Sequence, residues 1–310
     1  MMRSFLLWLS ERQSIFNFVR RNRVAKHFAS RFVAGESVTT ALEAARELKA
    51  RGITASLDLL GESVRQPAES EQARDMYVAI LSGMHESGIE VNASVKLTQM
   101  GLDIDEALCE RNMRAILDVA RETGAFVRLD MEGSDYTDRT LDFFEQRLFP
   151  DYGGHVGVVL QSALKRTTKD AERMIALGAR VRLCKGAYLE PPDIAYADKA
   201  DVDAHYLRLM EALVSRGNYP GIATHDEAMI AATRAFVARE GIAPDRFEFQ
   251  MLYGVRRDLQ DQLVADGFRM RVYIPFGTQW YPYLMRRLAE RPANIAFILG
   301  NILKEGTRRS

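Results

Sequence analysis

From residue 53 onward, short apolar runs rich in Val and Ile alternate with longer segments whose apolar residues recur at helical spacing. The runs predict strands over 53–60, 90–97, 125–131, 156–161, 180–184, 221–225, 246–251 and 271–275. Between them the spacing predicts helices over 70–87, 104–123, 135–149, 169–177, 201–215, 227–240 and 256–266. Val181-Arg182-Leu183 is not a clean apolar run, so its assignment leans on the rhythm of the others. Strand–helix alternation implies a parallel sheet. Eight such units in about 250 residues match a closed α/β (β/α)8 barrel of the TIM type better than an open doubly wound sheet. The barrel is expected over 51–310, preceded by a helical segment, 1–50, packed upon it.

The strand ends support closure. Glu62 lies just past the first, followed by Lys96, Asp130, Gln161, Lys185, Thr224-His225, Gln250 and Tyr273. In a barrel these positions converge on the C-terminal mouth, where such enzymes carry their chemistry. An open sheet would spread them along one edge.

After the last strand, Gly277 makes a turn into a helical stretch. There Tyr283, Arg286, Arg287 and Glu290 share about a third of the circumference, the i, i+3, i+4, i+7 relation. Leu284, Met285 and Leu288 take the other side. Two adjacent guanidinium forks beside a tyrosine and a carboxylate suit a small zwitterion, because planar forks grip a carboxylate bidentately.

Composition narrows the field. Lys plus Arg equals Asp plus Glu, 42 each, so no global field draws the chain to nucleic acid. The two cysteines, Cys109 and Cys184, form no C-x-x-C pair, which favours a reduced, cytoplasmic protein. Phe5-Leu6-Leu7-Trp8-Leu9 is too short to cross a bilayer, and no small-residue cleavage site follows. With Phe16, Val19, Phe28 and Phe32 it continues an amphipathic pattern, expected to pack on the barrel or touch a membrane surface peripherally. Neither G-x-G-x-x-G nor G-x-x-x-x-G-K-[ST] occurs, so there is no Rossmann turn or Walker loop. His225-Asp226 alone is a weak metal signal, and no metal is expected.

Arg182-Leu183-Cys184-Lys185-Gly186-Ala187-Tyr188 is the other unusual segment. Charge at the end of a buried strand needs partners. Gly186 and Ala187 let a flat ring or a phosphate approach the backbone. Two alternatives stand: Lys185 as a Schiff-base lysine with Arg182 as its cationic neighbour, or the segment as a cofactor cradle.

The sequence resembles the proline dehydrogenases, monofunctional bacterial flavoenzymes with a distorted (β/α)8 barrel. The matching stretches are 93–101 (ASVKLTQMG), 128–132 (RLDME), 182–188 (RLCKGAY), 223–226 (ATHD), 249–254 (FQMLYG) and 273–294, in the expected order. The resemblance implies FAD across the barrel mouth. Its contacts would be Met131, Gln161, Arg182, Cys184, Lys185, Gly186, Ala187, Thr224, His225, Gln250, Leu252 and Glu290. Cys184 stands where valine is commoner in the family, and no redox role attaches to it. Arg286 and Arg287 would clamp the carboxylate of L-proline. Lys96, Asp130, Tyr273, Leu183, Ala187 and Tyr283 would complete the pocket, with Lys96 and Asp130 paired and Glu62 bridging to Arg286. Asp130 and Arg182 are the expected catalytic groups, Arg182 beside flavin N5. The implied reaction yields Δ1-pyrroline-5-carboxylate, with a quinone as electron acceptor and a pyrroline-5-carboxylate dehydrogenase acting next. Within 310 residues there is no room for the aldehyde dehydrogenase or DNA-binding modules of the larger bifunctional relatives.

Overall fold

The computed structural model describes residues 29–90, 92–188 and 190–290, with the side chains of 286–290 left out. The expectations for Phe5, Trp8, Phe16, Val19 and Phe28, and for the side chains of Arg286, Arg287 and Glu290, lie outside the described residues. Eight strands close a barrel in sequence order: β1 (Thr54–Leu59), β2 (Asn92–Val95), β3 (Phe126–Leu129), β4 (Val156–Gln161), β5 (Arg180–Cys184), β6 (Gly221–Ala223), β7 (Glu248–Leu252) and β8 (Met270–Phe276). Every neighbouring pair is parallel, including β1 with β8. Each predicted strand is present, usually trimmed by a residue or two.

The helices are α1 (Val38–Ala50), α2 (Pro67–Glu86), α3 (Glu106–Thr123), α4 (Thr137–Phe143), α5 (Phe149–Tyr152), α6 (Thr167–Leu177), α7 (Lys199–Arg216), α8 (Glu227–Glu240), α9 (Arg257–Ala265) and α10 (Trp280–Glu290). Local chemistry sets their ends. The Ser37 and Asp105 side chains accept amide protons of Thr40 and Ala107 at the starts of α1 and α3. The helix predicted over 135–149 is split, because a π-helical stretch, Phe144–Leu148, separates α4 from α5. α1 buries Ala41, Leu42, Ala45 and Leu48, and it lies against β1 and β8.

Side chains alternate across each strand. One face carries Leu57, Val95, Leu129, Val158, Leu183, Ile222, Met251 and Val272, all buried in the hydrophobic core beneath the helices. The opposite, inward face is polar: Ser56, Asp58, Ser94, Arg128, Arg182, Glu248, Gln250 and Arg271 are all buried. Charges enclosed in this way must be matched. Near the lower end, Arg271 donates to Glu248 Oε1 at 2.7 Å and to the Ala55 carbonyl at 2.9 Å, and it also bonds Glu90. Burial alone would raise the Glu248 carboxyl, but Arg271, with Gln250 and Arg128, holds the group below the usual range. Arg128 gives Nη1 to the carbonyls of Val158 and Arg180 at 3.2 and 2.9 Å. It fits because Gly157 has no Cβ there; an added one would stand 2.4 Å from the Arg180 carbonyl oxygen.

Candidate active site

Above these arginines, β5 directs Arg182 across the barrel. Its Nη1 donates to Asp130 Oδ1 at 2.7 Å, its Nε to Gln250 Oε1 at 2.5 Å and its Nη2 to Ser94 Oγ at 3.2 Å. The Tyr273 hydroxyl donates to the other Asp130 oxygen at 2.7 Å, and the Tyr273 ring centroid lies 5.2 Å from the guanidinium carbon. Gln250 is oriented in turn, because its Nε2 donates to Glu248 Oε1 at 2.6 Å. Burial, reinforced by Asp130, pushes the Tyr273 phenol well above its ordinary value, so it stays a proton donor. Strands β2, β3, β5, β7 and β8 thus meet on one planar fork. Of the sequence candidates, Asp130, Arg182, Gln250 and Tyr273 are joined directly.

Lys96 belongs to a second cluster. Its ammonium is 3.2 Å from Asp58 Oδ1, while Asp130 is taken by Arg182 and Tyr273. The expected Lys96–Asp130 pair is therefore replaced by Lys96–Asp58. The cause is the barrel's geometry: β1 and β2 are adjacent, with Asp58 in register with Ser94, so Lys96 reaches sideways to its neighbour strand. Burial draws the Lys96 ammonium down, but Asp58, Asp130, Tyr77 and Glu62 hold it above its ordinary value. Lys96, Glu62 and Gln99 line a cavity of about 660 Å³ with Thr278, Gln279 and Pro282 at the start of α10. Tyr283, one residue on, is buried. The Glu62–Arg286 pairing falls outside the described residues.

Around the rest of the mouth, the cofactor candidates form smaller hydrogen-bonded groups. Gly186 has φ +106, and a Cβ there would come within 2.9 Å of Gln161 Oε1, so the turn after β5 admits no side chain. Gln161 is anchored by its Nε2 to the Glu132 carbonyl at 3.0 Å. His225 Nε2 accepts the Leu252 amide proton at 2.9 Å, which puts the neutral ring's own proton on Nδ1. Thr224 Oγ1 accepts from the Asp226 amide at 3.1 Å. Lys185 bonds Asp203 and, at 2.8 Å, Asp226, which uses two of its three N–H groups. Met131 is buried, while Cys184 and Ala187 are half-buried. An open glycine turn ringed by oriented polar groups suits a flat, hydrogen-bonding ligand.

One candidate is misplaced. Leu183 is fully buried in the helix-facing core, on the strand face opposite Arg182, so it lines no pocket inside the barrel. Asp58, Ser94, Glu248 and Arg271 join the interior without being among the expected site residues. For Asp58 the signal is the alternation of polar residues with Ala and Leu in Thr54-Ala55-Ser56-Leu57-Asp58-Leu59. Among the described residues, no three His, Cys, Asp or Glu side chains gather as a metal site, and no helix is long and apolar enough to cross a membrane.

Residues 41–299 match the family model described as proline dehydrogenase. The chain is 44% identical over 306 residues to the proline dehydrogenase of Deinococcus radiodurans, covering 97% of this chain and 98% of that protein. It is 38% identical over 305 residues to proline dehydrogenase 1 of Bacillus subtilis, covering 98% and 100%. Among solved structures, proline utilization A from Bdellovibrio bacteriovorus inactivated by N-propargylglycine superposes with a TM-score of 0.79 at 25% identity, covering 91% of this chain and 34% of that one. The matched segment contains the whole ring of strands and both charged clusters within it, and on that footing the chain belongs to the proline dehydrogenases, enzymes that oxidise proline.

Proposed function

We propose that the chain oxidises L-proline to Δ1-pyrroline-5-carboxylate with FAD bound across the C-terminal mouth of the barrel. The observation that carries this is the buried Arg182 guanidinium held by Asp130 and Gln250, with Tyr273 donating to Asp130. Bound flavin would supply the two-electron chemistry, taking a hydride at N5 from the C5–H of the ring. The residues fit such a group. Gly186 and Ala187 leave backbone open, Gln161 and His225 are oriented, and Lys185 keeps one N–H to offer. Thr224 and Leu252 flank them, with Met131, Cys184 and Glu290 as further contacts by family pattern.

The chain's own residues do the rest. Arg286 and Arg287 clamp the substrate carboxylate, and Lys96 adds a third cation from the cavity wall. Tyr273 and Tyr283 offer ring faces, and Glu62 closes the cavity on one side. Holding the ring in one orientation is the main contribution, because the nitrogen lone pair must be free to form the C=N bond as hydride leaves C5. Electrons would pass to a quinone, with a pyrroline-5-carboxylate dehydrogenase taking the product. The N-terminal segment would allow peripheral contact with the inner face of the membrane from the cytoplasm.

A Schiff-base lyase fits less well, because the Lys185 nitrogen is bonded to two carboxylates and Lys96 is held as an ammonium beside Asp58, so neither stands open to a carbonyl. A visible spectrum of the purified protein tests the proposal. Flavin absorption that bleaches on adding proline supports it. A colourless protein trapped by borohydride with a carbonyl ligand would support the lyase. A yellow protein indifferent to proline would leave only an amino-acid-binding barrel.

A further inference from the structure

Asp58 sits on the inner face of β1 with 1% of its surface exposed, and none of the residues assigned to catalysis or cofactor binding accounts for it. Its Oδ1 accepts from Lys96 at 3.2 Å, and its Oδ2 has no hydrogen-bond partner among the described residues. A carboxylate buried with one oxygen unsatisfied is costly, so it persists where its charge is needed by something else. The nearest beneficiary is Lys96, which gives only one of its three N–H groups to Asp58. Among the described residues no other acceptor takes the remaining two. Those two donors belong to a side chain that lines the cavity of about 660 Å³ beside α10.

We propose that Asp58 is a positioning residue for substrate binding: it holds Lys96 as an ammonium against the cavity wall, so that the free N–H groups meet the carboxylate of a small cyclic amino acid. This rests on the function proposed above for the same site. The physical reason lies in burial. Burial is the largest influence on Lys96 and acts against its ammonium form, so the charge depends on nearby anions. Asp58 from β1 is the foremost opposing charge, followed by Asp130 beyond β3, Tyr77 from α2 and Glu62 from the β1–α2 loop. Asp58 itself faces Lys96, Asp130 and Tyr273, and burial raises its carboxyl. Asp130 acts on Lys96 from a distance, its oxygens accepting instead from Arg182 and Tyr273, whereas Asp58 bonds the ammonium directly.

Asp58→Asn keeps the shape and removes the charge. With flavin bound, it should raise KM for proline about tenfold or more while kcat changes far less, the signature of lost carboxylate binding. A new ionisation should appear on the alkaline side, with kcat/KM falling as Lys96 deprotonates within the measured range. Inhibition by cyclopentanecarboxylate should weaken in parallel. Binding of pyrrolidine, the ring without a carboxylate, should not change. The double variant Asp58→Asn/Lys96→Met should bind cyclopentanecarboxylate no worse than Lys96→Met alone, and its flavin spectrum reports folding. Equal losses for both ligands, an unchanged alkaline limb, or additive losses in the double variant would each overturn the assignment. Cyclopentanecarboxylate binding to the unaltered protein is followed by calorimetry, so a protein that failed to oxidise proline would refute the proposed function without deciding the role of Asp58.

Discussion

The helix-facing and inward-facing sides of the barrel are made by the same strands, residue by residue in turn. Leu57 neighbours Asp58, Leu183 neighbours Arg182, Met251 neighbours Gln250 and Val272 neighbours Arg271, yet each pair is split between an apolar layer and a charged interior. Parallel strands covered on both sides usually read as continuous apolar runs. Here only the outer face follows that rule. The outer face supplies hydrophobic stabilisation without geometric demands. The inner face is tolerable only because its polar groups are tied into defined partners. Stability and chemistry are therefore separable by parity along a strand.

The sharpest way to break this contrast is within β5. Leu183→Asp places an unmatched charge in the outer layer and should cost about 5 kcal/mol or more, leaving little folded protein by circular dichroism. Arg182→Met, one residue away, should fold and lose proline turnover. A folded, active Leu183→Asp would show that the two faces are not distinct.

Next in size is Arg271→Met. It leaves Glu248 buried without its cation, and about 3–5 kcal/mol of unfolding free energy should disappear from denaturant titrations. Glu248 also accepts from Gln250, whose Oε1 receives Arg182 Nε, so proline turnover should fall with it. Unchanged turnover would show that the lower charges do not communicate with the mouth. Gly157→Ala should cost about 1–3 kcal/mol by crowding the Arg180 carbonyl and the Arg128 guanidinium. An unaltered melting temperature would show that β4 shifts freely.

The smallest effect is in the pH dependence of stability, where two interior carboxylates oppose each other. Glu248 is held below the ordinary glutamate value of 4.5, so its contribution is present above that pH and is lost as pH falls through the lowered folded value. Asp58 is raised above 3.8, so between 3.8 and its folded value the native state keeps a proton that the unfolded chain releases. Stability therefore falls with rising pH in that window. Acidification should relieve Asp58 and strip Glu248, with opposite effects on stability. Melting curves of Asp58→Asn should lack the gain, and curves of Arg271→Met should lack the loss. If both variants follow the parent at every pH, the opposition is absent.

Much of the fold was legible from periodicity. Even β5 emerged where Arg182 interrupts the apolar run, because neighbouring units fixed the rhythm. Lengths were less legible, since α2 begins at Pro67, where Glu69 accepts the amides of Arg65 and Gln66 ahead of the apolar spacing. In the site, Asp130, Arg182, Gln250 and Tyr273 could be found because they close strands. Their partners could not be paired from sequence. Lys96, Arg128, Arg182 and Arg271 share one enclosure with Asp58, Asp130 and Glu248, and only adjacency around the ring decides which cation meets which carboxylate. Leu183 was misassigned for the related reason that proximity in sequence to Arg182 means opposite sides of the sheet.

The pairing of β1 with β8 carries a consequence in time. Arg271 holds the Ala55 carbonyl across 216 positions of sequence. At ribosomal rates of about 5–20 residues per second, roughly 10–40 s separate synthesis of these two strands. Throughout that interval β1 presents an unpaired edge, the kind of surface that recruits foreign strands. The strand bearing Asp58 is thus the first of the barrel to be made and the last to gain both neighbours, so a nascent chain is most exposed to mispairing at the strand on which the proposed lysine support depends.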